Sequence, residues 1–368
     1  MGSKLKSDKF LLINILLLLG FGIIIFLSAS LGLLAKEGVK YSSIVLNQIT
    51  FGLLAGGIAS YIASKIPYKF WRKNSFYLFF CAFLVTCAVF IPGVGSKFGG
   101  ASRWILLGPI SFQPGEFLKI TYIIYLAAWL SAPKHKIKTF LGGLLPFLII
   151  SALAGGVLLL QPDTDTALIM LVTGAVMFFV AGASIKHIIS AGALFIGVFG
   201  IAILTRPYIL ARIWSIINPA ANPLSTSYQI HQSLIAIGSG GLFGRGFGQS
   251  IQKFNFLPEP IGDSVFAVAA EEFGFIGAVI LVLLFIVFLF RAVKIGSSHK
   301  DLYGGLLMIG FAILITSQSF LNIGSMLGIM PLSGLPLLFV SHGGTALFFT
   351  LFTTGIMLNI SKSKKNKI

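Results

Sequence analysis

The chain is short of acid. Ten of its 368 residues are Asp or Glu against 27 Lys and Arg, and charged residues of both signs make up 10%. A water-bathed globular domain carries about 25%, so this composition argues against one. Cysteine is scarcer still: Cys81 and Cys87 fall in the same apolar run, which leaves no disulfide framework. The five histidines are dispersed, with no i, i+4 pair and no neighbouring Cys, and this spacing does not suit a structural zinc site. There is no G-x-x-x-x-G-K-[ST] loop, no dinucleotide fingerprint between a strand and a helix, no repeat of 20–50 residues and no low-complexity linker.

What the chain has in abundance is hydrocarbon. Hydrophobic residues make up 56% of it, in continuous runs long enough to span a bilayer. The runs do not alternate, so they read as helices: an all-α polytopic membrane protein forming a single membrane domain over 1–368. About ten transmembrane helices are expected, near 10–34, 45–64, 75–92, 114–132, 140–160, 165–183, 187–205, 264–290, 302–322 and 344–361. The first run follows Lys4, Lys6 and Lys9, exceeds a signal-peptide core and has no A-x-A-like site after it, so it is expected to remain as an anchor. The net charge of +17 then gives orientation. Lys and Arg gather in the loops on the side of the N-terminus, which places both termini in the cytoplasm. The basic charge is scattered over short loops, not gathered on one face, so no nucleic-acid partner is implied.

This topology leaves one long extracytoplasmic loop, about 206–263, between helices 7 and 8. Its segments "RPYILARIWSIINP" and "SYQIHQSLIAIG" are amphipathic enough to lie at the membrane interface. Its glycine-rich run "GSGGLFGRGFGQSIQK" carries Arg245 and Lys253 and reads first as a flexible turn and second as an anion-binding nest. The following stretch holds Glu259, Asp263, Glu271 and Glu272, four of the ten acids. Asp263 directly precedes the eighth helix, where it can serve as an N-cap or present a free carboxylate as a base. Glu271 and Glu272 lie about 12 Å further down the helix by its rise, and being about 100° apart they are not expected to face the same way. Buried there, they call for a polar cavity, a partner or protonation. A second group joins them. Arg103 lies in an outer loop, Glu116 and Lys119 sit i, i+3 on the fourth helix, and Asp163 and Asp165 share the turn "QPDTDTA". Lys119 needs a counter-ion, either Glu116 or Asp163, and a structural pair is favoured over a catalytic lysine.

Four segments, "GASRWILLGPISFQPGEFLKI", "QPDTDTALI", "YQIHQSLIAIGSGGLFGRGFGQSIQKFNFLPEPIGDSVFAVAAEEFGFIG" and "NIGSMLGIMPLSGLPLLFVSHGGTALF", resemble the SEDS family that includes FtsW and RodA, over essentially the whole chain. The run "GRGFGQSIQKFNFLPEP" and the motif "YKFWRK" are closer to the division-type branch. The resemblance implies a glycosyltransferase of the cytoplasmic membrane, at the division septum, that polymerises lipid II into glycan strands beside a class B penicillin-binding transpeptidase and other division proteins. It places the family's catalytic aspartate on Asp263 and an intramembrane Lys–Asp pair on Lys119 and Asp163. The chain departs from the family at Gly262-Asp263-Ser264, at Asp165 and at Ser341-His342-Gly343-Gly344. Arg103, Arg245 and Lys253 are the expected substrate contacts, with Arg favoured for its bidentate hold on phosphate. A divalent cation, Mg²⁺ or Mn²⁺, could share that work, and no organic cofactor is expected. The competing readings are a flippase of the same lipid without polymerase activity and a non-catalytic division scaffold.

Overall fold

Hydrocarbon offers no hydrogen-bond partner to the backbone, so an apolar run satisfies itself by coiling. The computed structural model, which describes residues 7–35, 41–98, 101–107, 110–132, 137–217 and 226–362, follows that rule. Eight of its helical stretches are long and apolar enough to cross a membrane, by length and composition. In chain order the helices are α1 (Lys9–Ser30), α2 (Tyr41–Asn47), α3 (Gly56–Lys65), α4 (Tyr68–Cys87), α5 (Pro114–Leu130), α6 (Leu145–Leu160), α7 (Thr164–Val180), α8 (Ile185–Thr205), α9 (Pro207–Ile217), α10 (Thr226–Ser239), α11 (Val265–Ser297), α12 (Leu302–Met326) and α13 (Gly344–Ser361). A π-helical stretch, Gln48–Ala55, joins α2 to α3, so that Tyr41–Lys65 acts as one span. The fourth and sixth expected spans are the 17-residue helices α5 and α7. Part of the basic charge used for orientation, including Lys4, Lys6, Lys134, Lys136, Lys364, Lys365 and Lys367, lies outside the described residues.

Local chemistry sets the helix ends. Asp8 caps α1 by accepting from the Leu11 N–H at 3.0 Å, and its two oxygens take the Arg291 guanidinium, tying the start of α1 to the far end of α11. Pro114 opens α5 in the first turn, where its missing N–H costs no helical bond. The core sits on α5 and α12. Nearly every residue of α12 is buried, whereas α8 buries only Ala191 and Ala202 and so runs along the periphery.

Three features differ from the sequence expectation. Three short strands, β1 (Gly95–Phe98), β2 (Ala101–Leu107) and β3 (Ile110–Phe112), form a small antiparallel sheet in the order β1-β2-β3, with a register shift between Ser96 and Lys97. The third span starts at Tyr68, not 75, because "YKFWRK" is already helical. The eighth helix is broken at Gly274, whose φ of 68° and ψ of −169° interrupt α11. The glycine-rich loop fills the break. Arg245 and Gly246 donate their N–H groups to the Glu271 and Glu272 carbonyls, and Phe275 and Ile276 donate to the Gly241 and Leu242 carbonyls. A Cβ on Gly274 would lie 2.3 Å from the Gly244 nitrogen, so glycine is required there by both conformation and contact.

Candidate active site

The same loop turns back toward α11 and delivers its polar groups to the two glutamates. Glu271 accepts from the Ser250 hydroxyl (2.6 Å) and the Ile251 N–H (3.0 Å), with the Arg245 guanidinium 3.5 Å away. Glu272 accepts from Lys253 Nζ (2.7 Å), the Ser28 hydroxyl and the Ser250 N–H. Both carboxylates therefore serve one loop, contrary to the expectation that they face apart; the loop is broad enough to meet both faces of the helix. Lys253 is wholly buried in this cluster and Arg245 lies beside it. Neither lines the cavity that holds Asp263. In this geometry the anions they meet are the protein's own, Glu271 and Glu272.

Asp263 occupies a different setting. Its backbone is held on several sides. Asn322 Nδ2 donates to its carbonyl at 2.8 Å, the Ser341 hydroxyl donates to the Gly262 carbonyl at 2.7 Å, and the His342 N–H donates to the Ile261 carbonyl at 2.7 Å. Asn322 also holds the Leu335 carbonyl (2.8 Å), and Gln318 holds that of Pro336 (3.2 Å). Gln318 is fixed in turn by Lys119, whose Nζ lies 2.7 Å from both Gln318 Oε1 and Glu116 Oε1. Lys119 thus pairs with Glu116, not with Asp163 as the family resemblance implied, and it acts as a buried strut behind the segment that walls the cavity. The N-cap of α11 is Ser264, with no side-chain cap bond, so the Asp263 carboxylate is not spent on capping.

That carboxylate opens into a cavity of about 550 Å³, lined also by Arg103, Gln113, Asp163, Glu259 and His342. Burial, and secondarily the Glu259 charge, push Asp263 up to about 6, with Arg212 opposing. Arg103 spans the turn 161–163, donating to the Gln161 carbonyl at 3.2 Å and to the Pro162 carbonyl, with Asp163 Oδ1 3.9 Å from its Nη1. The other Asp163 oxygen is buried without a hydrogen-bond partner. Asp165, on the next turn, pairs with Arg212 at 2.8 Å. Burial lowers His342, which keeps its imidazole neutral near pH 7. Glu259 holds a left-handed φ of 45°, a strained setting for a non-glycine residue.

The structure brings Asp263, Arg103 and Asp163, each singled out in the sequence, to one cavity together with Glu259 and His342, to which sequence reasoning assigned no role. The acid-rich stretch around Asp263 and the departure at Ser341-His342 were the available signals. Among the described residues no group of three or more His, Cys, Asp or Glu side chains could hold a metal ion.

Comparison with known proteins places this arrangement. The model of the FtsW/RodA/SpoVE family, described as a cell cycle protein, matches residues 9–366. Stage V sporulation protein E of Bacillus subtilis is 40% identical over 359 residues, 98% of this chain and 98% of its own. A probable peptidoglycan glycosyltransferase FtsW of Trichlorobacter lovleyi is 35% identical over 360 residues, 98% of this chain and 94% of its own. Among solved structures, a chain of a peptidoglycan synthase complex that coordinates polymerization and crosslinking superposes with a TM-score of 0.76 at 26% identity, covering 96% of this chain and 97% of that one. The rod shape determining protein RodA of Thermus thermophilus superposes with a TM-score of 0.69 at 27% identity, over 96% of each chain. With nearly its full length matched in sequence and in fold, this chain belongs to the FtsW/RodA/SpoVE family of cell cycle proteins.

Proposed function

We propose that the chain is a peptidoglycan glycosyltransferase that polymerises lipid II at the outer face of the cytoplasmic membrane, with Asp263 as general base. The observation that carries this reading is the Asp263 carboxylate itself: backbone-clamped, spared from capping, open to a cavity and poised near 6. A base with such a pKa is mostly ionised at neutral pH yet retains proton affinity. It takes the proton from the acceptor sugar hydroxyl as that oxygen forms a bond to the anomeric carbon of the donor. The bond to the polyprenyl pyrophosphate breaks, and a single displacement inverts the configuration. Arg103, on the same cavity, is placed to meet the charge that builds on the leaving pyrophosphate.

A divalent cation would be shared with the substrate. Mg²⁺ accepts one or two carboxylates together with phosphate oxygens, and Glu259 with Asp263 supplies such a pair on one wall of the cavity. Bound there, it would neutralise charge on the pyrophosphate. The partner we propose is a class B penicillin-binding transpeptidase, because the structural relative belongs to a complex that both polymerises and crosslinks. Division proteins as further partners and the septum as the location are part of this proposal, supported by the FtsW-named relatives. The relative named for stage V of sporulation favours a second setting for the same chemistry, the spore wall.

The break in α11 lends the flippase reading no support. A broken span suggests transport only where its freed backbone groups face a pathway, and here the break at Gly274 is closed by the loop 241–246. The deciding experiment is reconstitution of the purified protein with a partner transpeptidase, lipid II and Mg²⁺. Glycan strands on a gel are the expected result. Lipid II movement across the bilayer with no polymer would overturn the assignment.

A further inference from the structure

At the end of the bundle away from Asp263, α1, α3 and α13 part to leave a groove of about 650 Å³. The two sites are at opposite ends of α13: Gly344 lines the Asp263 cavity, while Leu358 and Lys362 line the groove. The wall is leucine-rich, with Leu12, Leu16 and Leu19 from α1 facing Leu351 and Leu358 from α13. Three amines, Lys9, Lys65 and Lys362, stand on it, and among the described residues no carboxylate lines it.

The ordinary reading is that lysines finish helix C-termini. It accounts for Lys362, whose Nζ donates to the Ser64 carbonyl at 2.6 Å, and for Lys65 in the last turn of α3, its amine 5.0 Å from the Tyr61 ring centroid. It does not account for Lys9, which sits at the start of α1, where the helix dipole disfavours a cation. Nor does it explain why the three converge on one groove. The acid next to Lys9, Asp8, is engaged by Arg291. Burial, and secondarily the charge of Lys65, lower Lys362.

We propose that this groove binds an anionic phospholipid, with its phosphate among Lys9, Lys65 and Lys362 and an acyl chain along the leucine wall. The amines supply the headgroup recognition and the wall supplies the specificity for a lipid over a free anion. Leu16 and Tyr61, both more than half exposed, open the groove sideways toward the bilayer. Basic pockets between spans that adjoin an apolar surface are sites of this kind.

The test uses the full chain in detergent, stripped and then titrated with phosphatidylglycerol, phosphatidylcholine or inorganic phosphate, and read by native mass spectrometry and thermal unfolding. Phosphatidylglycerol should be retained at about one molecule per chain and raise the unfolding temperature, and the other two probes should do neither. Lys65→Ala with Lys362→Ala should weaken retention roughly tenfold, while Lys65→Arg with Lys362→Arg keeps it. Should the alanine pair fail to fold, Lys9→Gln, at an exposed helix start, should still weaken retention severalfold. Lys186→Ala, away from the groove, should change nothing. Equal retention of phosphatidylcholine, equal stabilisation by phosphate alone, or undiminished retention by the alanine pair or by Lys9→Gln would overturn the assignment.

Discussion

Two groups of carboxylates lie eight residues apart in the chain and have opposite fates. Glu271 and Glu272 are buried in the membrane helix with hydroxyls, backbone N–H groups and two cations gathered around them. Asp263 and Glu259, at the helix mouth, share a cavity with Arg103, and burial lifts the Asp263 proton affinity. A carboxylate surrounded by donors is stabilised as an anion and is a poor base. One stripped of donors and set beside a second acid is a better base and a burden on stability. The inner pair anchors the loop 250–253 to α11, and the outer pair is left open to the cavity.

The sharpest way to break this contrast is Asp263→Asn. A positioned general base contributes typically 10²–10⁴-fold, so polymerisation should fall at least about a hundredfold. Stability should move the other way. Burial pushes the folded carboxyl up to about 6 from its ordinary 3.8, so its contribution to stability is fully present below about pH 4 and is lost as pH rises through 6. At pH 7.5 the amide, which keeps the backbone bond to Asn322, should therefore unfold at a higher temperature than wild type, and the gap should close by pH 4. Unchanged polymerisation would make Asp263 a spectator.

The inner cluster predicts the reverse balance. Lys253→Met leaves Glu272 buried without its cation, and breaking such a pair costs about 3–5 kcal/mol. Thermal unfolding in detergent should show that loss. Adding Glu272→Leu removes the stranded charge and should recover part of it. If Lys253→Met unfolds like wild type but loses polymerase activity, Lys253 contacts substrate and its placement in a structural cluster is insufficient to describe it.

The spans were legible in the sequence because hydrophobic runs and the backbone's need for partners are local facts. The break in α11 was not. "FAVAAEEFGFIGAV" reads as one continuous apolar helix, and only the distant glycines at 241, 244 and 246 make the interruption at Gly274 stable. The sheet at 95–112 went unread because strands of four, seven and three residues carry little pattern. The partners of Arg245 and Lys253 went unread for a related reason. A cation among glycines does suggest an anion, but local sequence does not reveal that the anion is Glu271 or Glu272 across the fold. Asp263 was legible because its position at a helix start survives folding unchanged, although the cap itself proved to be Ser264.

The smallest effect should come from tuning Asp263 without touching it. Glu259 raises the Asp263 pKa through its charge, second to burial. Glu259→Gln removes that charge and leaves the burial, so Asp263 should ionise at lower pH. Activity requires the ionised form and falls as pH drops through about 6 in wild type; in the variant the acid limb should shift downward by less than about one unit, since exposed or half-exposed charge pairs couple weakly. The pH dependence of polymerisation measures this directly at constant ionic strength. An upward shift would contradict the sign of the interaction, and an unmoved limb would mean that the proton governing the rate is on another group. If Glu259 also holds a divalent cation, the variant should need more Mg²⁺ at every pH, so the profile must be taken at several Mg²⁺ concentrations. A shift that persists at saturating Mg²⁺ belongs to the carboxylate pair; one that vanishes there belongs to the metal.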